Sequence, residues 1–125
     1  MSQKAFHYII LIVVLLCNAH IGFAQKDAEL VRLGDEMYTY GSKRDALDIF
    51  LKAIKTNDKN VRAHFMAGKC YLETNQIKLA LDFLQKAFKM NPKIDEDVLF
   101  LLGKSYQGNY KFDDALENYS KFKKK

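Results

Sequence analysis

Few residues in this chain could do chemistry, and their spacing does not serve it. Beyond the first 24 residues there is one histidine, His64, and one thiol, Cys70. A metal site needs several ligands converging on one point, and no second His or Cys stands at ligand spacing from His64. A cysteine nucleophile needs a base within hydrogen-bond reach. Six residues of helix turn Cys70 and His64 toward different faces. The acidic groups Asp27, Asp95–Glu96–Asp97 and Asp113–Asp114 fall near the starts of predicted helices, where negative charge complements the helix dipole. The recurring glycines Gly34, Gly68 and Gly103 lie inside predicted helices, and there is no glycine-rich, phosphate-cradling loop. These residues read as a protein that is not an enzyme, with no catalytic residue, no metal site and no cofactor. His64 takes a place filled elsewhere by Leu30 and Leu99 and reads as a core histidine. Cys70 reads as a small buried hydrophobe.

The chain of 125 residues opens with a segment of different character. Lys4 precedes an unbroken apolar run from Tyr8 to Cys17, and Gly22–Phe23–Ala24 follows with small residues at the positions a signal peptidase reads. The expected division is a signal peptide over 1–24, cleaved before Gln25, and a helical domain over 25–125. The alternative is an uncleaved N-terminal membrane anchor, for which ten strongly apolar residues are short. Leu16 before Cys17 departs from the lipoprotein pattern, which argues against lipidation. The expected location is therefore outside the cytoplasm, periplasmic or associated with the outer membrane. Without Lys4 the formal charge of +5 falls to +4, which Lys121, Lys123, Lys124 and Lys125 account for. The pI of 9.1 then describes a basic tail rather than a basic face, and nucleic acid is not an expected partner.

The elements beneath these residues are periodic. Gly34, Gly68 and Gly103 recur at 34 and 35 residues, and so do Ala46, Ala80 and Ala115, and Phe50, Leu84 and Tyr119. A large side chain, Met37, Tyr71 or Tyr106, follows each glycine by three. Apolar spacing is helical throughout. It predicts helices at about 27–40, 43–56, 61–74, 77–90, 95–107 and 111–122, in units of about 27–60, 61–95 and 96–125. Gly41 is expected to end the first helix in a left-handed conformation and Ser42 to cap the second. Asn75 and Gly108–Asn109 are expected to make the later breaks, and Pro92 to stop the fourth helix. A glycine inside a helix costs about 1 kcal/mol relative to alanine, so its recurrence implies close approach of the paired helix. The alanines are expected to supply the matching small surface.

This pattern resembles the tetratricopeptide repeat (TPR) family over about residues 27–125. The second unit matches best, with Ala67–Gly68, Tyr71, Ala80, Leu84, Ala87 and Pro92. The first has Leu33–Gly34, Met37, Ala46, Phe50 and Ala53, with Asp58 where proline would stand. The third has Leu102–Gly103, Tyr106, Lys111–Phe112–Asp113–Asp114–Ala115–Leu116 and Tyr119, with Phe122 in place of the small residue. The resemblance implies an all-α, right-handed α-solenoid of about three helical hairpins. Repeat arrays usually end in a polar cap, and Tyr119 and Phe122 are expected on an open face. A longer parent chain, a partner or self-association through this last repeat would cover it.

The resemblance also implies a ligand groove along the first helix of each unit. It would be lined by Val31, Asp35 and Tyr38, by Phe65, Lys69 and Leu72, and by Phe100, Lys104 and Gln107. The competing reading packs the phenylalanines against a neighbouring unit. Val31, Asp35 and Met66 stand where some TPR proteins clamp a peptide carboxylate, which argues against that specialised mode. The expected function is a scaffold of the bacterial cell envelope that binds a peptide or protein, with possible membrane association. The alternative is the N-terminal portion of a longer envelope protein whose later domain binds peptidoglycan or acts as an enzyme.

Overall fold

The structure, a computed structural model, describes residues 3–124, without the side chains at 15, 17–21, 23 and 24. The side chains of the expected cleavage residues Phe23 and Ala24, the Cys17 thiol and the whole of Lys125 lie outside what is described. Six helices are present and no strand among the described residues: α1 Gln3–Tyr40, α2 Lys43–Thr56, α3 Val61–Glu73, α4 Ile77–Met90, α5 Val98–Gly108 and α6 Phe112–Lys123. Substantial contacts join only successive helices, α1 to α2 through α5 to α6. Three hairpins therefore stack in a row, each touching its neighbours, as in a solenoid.

Local chemistry sets most of the boundaries. Ser42 Oγ accepts from the backbone N–H groups of Arg44 at 3.2 Å and Asp45 at 3.4 Å, capping α2. Asn60 Oδ1 accepts from Ala63 N–H at 2.9 Å and caps α3. Helices α2 and α4 stop alike. Asn57 and Asn91 are both extended, and their N–H groups donate back to Ala53 and Ala87. Their side-chain oxygens accept from Lys59 and Lys93 N–H, both at 3.0 Å. The same turn is thus built twice, with and without proline.

Three expectations need correction. No glycine has positive φ; the left-handed residues are Asn75 (φ 62°) and Tyr110 (φ 61°). The α1–α2 connection has two residues where the other two hairpins have three, so it closes without that step. Gly108 instead ends α5 against Ile77, whose Cγ2 would collide with any Cβ at that position. Helix α1 does not begin near residue 27 but passes through it unbroken. Helix α5 starts at Val98, after a turn in which Asp95 accepts from Asp97 N–H.

The repeated glycines sit at close approaches, as their periodicity requires. A Cβ on Gly34 would stand 2.6 Å from the Phe50 ring, on Gly68 2.6 Å from Leu84 Cγ, and on Gly103 2.5 Å from the Tyr119 ring. The occupant of each space is the large residue sixteen positions on rather than the alanine. Ala46, Ala80 and Ala115 are buried beside it, as are Ala53 and Ala87. Met37, Tyr71 and Tyr106 pack partly buried against the same core. Cys70 is buried and free. Burial pushes its thiol up to about 12, with the Glu73 carboxylate adding to the rise, so it is neutral and inert.

Candidate docking face on the first helices

The first-helix face is assembled by side chains that reach between units. Arg62 of α3 holds Asp35 of α1 through two bonds, Nε to Oδ2 at 2.9 Å and a terminal nitrogen to Oδ1 at 3.0 Å. Tyr38 donates its hydroxyl to Glu73 at 2.6 Å. Burial, and then this bond, push the Tyr38 phenol well above its ordinary range. Lys43 donates to the Tyr38 carbonyl and lies over the same ring, with Lys69 5.4 Å from its centre. Asp35 thus pairs with Arg62, and Tyr38 with Glu73 and Lys69, in two polar groupings that the sequence reading missed. Asp35 and Arg62 carry opposite charges 27 residues apart, a pairing invisible until successive units stack. Leu72 is half-buried and packs against the hydrophobic core.

The remaining expected residues divide. Val31 and Phe65 are buried, Phe65 at 2% exposure. Phe65 is thus a core side chain and not an exposed apolar contact, because its position packs into the hydrophobic cluster when another hairpin follows. Phe100, its counterpart, is 40% exposed and leans on α6, with ring centres 5.8 Å from Tyr119 and 5.6 Å from Phe122. Gln107 also turns to α6 and accepts from Tyr119 at 2.9 Å. Lys104 is exposed near the Phe100 ring. The structure brings the first two trios together and leaves the third facing the last helix.

Other polar groups belong to the framework. His64 is buried, and its Nε2 lies 2.8 Å from the Asp58 carbonyl. A carbonyl can only accept, so Nε2 carries the proton; buried Nδ1 has no protein partner. His64 borders a cleft of about 580 Å³ shared with Ile54, Asp82, Phe83, Gln85, Lys86 and Lys89. Among the described residues no group of three or more metal-ligating side chains converges.

Residues 32–101, more than half of the chain, match the family model described as regulator of microtubule dynamics protein 1-3, and residues 97–125 match that of the tetratricopeptide repeat. Over 69 residues the chain is 41% identical to the TPR repeat-containing protein MJ1428 of Methanocaldococcus jannaschii, covering 54% of this chain and 12% of that one. The chain belongs to the tetratricopeptide repeat family. By coverage it also belongs to the family of the first model, whose name describes those proteins and not an activity of this one. Among solved structures, the crystal structure of MamA has TM-score 0.68 and 25% identity, over 77% of this chain and 56% of that one. The second TPR of Spaghetti (RPAP3) has TM-score 0.74 and 13% identity, over 84% and 95%, a likeness of fold alone. The chain therefore spans about half of MamA and a small part of its archaeal relative.

A buried carboxylate ties the first unit to the loop that follows it. Asp27 lies inside α1, not at a helix start, and is buried. Its Oδ2 accepts from Asn57 Nδ2 at 2.8 Å and Asn60 Nδ2 at 2.7 Å, tying α1 to the loop between the first two units. Asp27→Ala removes the acceptor for two amides. Both asparagines are half-exposed, so water takes over part of the bonding. The expected loss is about 1 kcal/mol, the low end for stranded donors, read as a lower urea midpoint.

Proposed function

We propose that this chain is an exported, non-catalytic docking module of the bacterial cell envelope that binds an extended peptide or protein segment along α1, α3 and α5. The observation that carries this is the Asp35–Arg62 and Tyr38–Glu73 pairing, with Lys69 beside it. It holds charged and aromatic groups in fixed positions across a unit boundary, where a bound strand would run. Pre-positioned groups reduce the ordering cost of binding. Lys69 and Lys104 suit a carboxylate-bearing partner. The RPAP3 structure is described as bound to an HSP90 peptide, so the fold holds a peptide in that protein.

Export is supported by the start of α1. Tyr8, Ile9, Ile10, Leu11, Ile12 and Val13 project about half-exposed, with no core to enter. Such a run suits a leader that is recognised and removed. Among the described residues no helix is long and apolar enough to cross a membrane.

Site-specific photo-cross-linking in cells tests the docking face. Cross-linkers at Leu72 and Lys104 are expected to trap a partner, those at Lys52 and Lys89 on the second helices not, and Lys69→Glu to abolish the Leu72 adduct. Equal adducts from all four positions would sink the proposal. Phe65→Ala is unsuitable for this purpose because it damages the core. The purified protein is expected to begin at Gln25.

A further inference from the structure

The two ends of the stack are finished differently. At the register positions filled in α3 by Ala63, Ala67 and Cys70, and in α5 by Val98, Leu102 and Ser105, all buried, α1 carries Glu29, Leu33 and Glu36, all exposed. Arg32 sits between the two glutamates and bonds both. The leading face is therefore charged and solvated.

The trailing face is apolar. Leu47 and Leu81 are 5% exposed, while their counterpart Leu116 is 66% exposed. Phe112 is exposed as well, with its ring edge-on to that of Tyr110, itself exposed. A second copy cannot cover this face by continuing the stack, because that would press Glu29, Arg32 and Glu36 into an apolar contact and strip their water. Two trailing faces can meet about a two-fold axis.

Helix α6 suits that arrangement. Phe112, Leu116, Tyr119 and Lys123 are spaced four, three and four, and so form one stripe. Asp113 flanks the stripe at its start, and Lys123 and Lys124 lie at its end. Laid antiparallel, two copies of α6 set an acidic start against a basic end twice over, which fixes register and orientation. We propose that the trailing face is a homodimer interface in which α6 pairs antiparallel with α6 of a second copy.

Sedimentation equilibrium of the chain as its host processes it, over a concentration series, tests this. The expected species is a dimer. Leu116→Glu should weaken it at least about tenfold, as loss of a central anchor does. Because Leu116 is exposed in the protomer, the circular dichroism spectrum should stay unchanged. Lys123→Glu with Lys124→Glu should also weaken the dimer, and adding Asp113→Lys should restore it. A wild-type monomer throughout the series, as when a downstream helix or another protein is the true occupant, would overturn the proposal. So would a dimer indifferent to Leu116→Glu, or no recovery in the charge-swapped variant.

Discussion

Phe65→Ala is expected to lower the unfolding free energy by about 3–5 kcal/mol, the usual cost of removing a buried aromatic ring. A domain of this size holds roughly 5–15 kcal/mol in all, so the variant should unfold at a much lower urea concentration, with its m-value unchanged. The site is poorly able to collapse, because Phe65 shares its helix with the small buried residues Ala63, Ala67, Gly68 and Cys70. Phe100→Ala, at the same register position but 40% exposed, should cost clearly less. If Phe65→Ala cost less than about 1 kcal/mol, the ring would have to be at the surface, where the family resemblance placed it, and the core described here would be wrong.

Gly68→Leu is expected to destabilise by about 3 kcal/mol, the upper end for overpacking. The first added carbon already stands 2.6 Å from Leu84 Cγ and 3.3 Å from the Ala80 carbonyl. Leu84 is fully buried and has no free space to enter. The helix-propensity gain on replacing glycine, about 1 kcal/mol, offsets only part of this. The same exchange at Gly103 should cost less, although its Cβ would stand 2.5 Å from the Tyr119 ring. Tyr119 is only half-buried and can swing outward. Comparison of the two thermal midpoints tests the gradient; equal losses would mean that the end unit is as tightly packed as the middle one.

The difference between Gly68 and Gly103 shows where sequence reasoning stops. Helix spans and hairpin pairing were legible because local signals repeat: the Ser42 cap, the Asn57 and Asn91 turns, and an apolar spacing near 3.6. What a register position touches was less legible. Val31, Phe65 and Phe100 are equivalent along the chain, yet two are buried and one is exposed. Their burial depends on whether another hairpin follows, which is not a local property. Asp27 is a similar case, because its charge resembled a helix-start residue until the first inter-unit loop folded over it.

The amino-acid pattern by itself determined three helical hairpins with glycine at their crossings, since steric demand at a crossing recurs wherever the hairpin does. Only the stacking of those hairpins decided which side chains face water. It paired Asp35 with Arg62 and Tyr38 with Glu73, drew Phe65 inside, and left Leu116 bare. Those outcomes depend on distances between segments more than twenty residues apart, and no local preference encodes them.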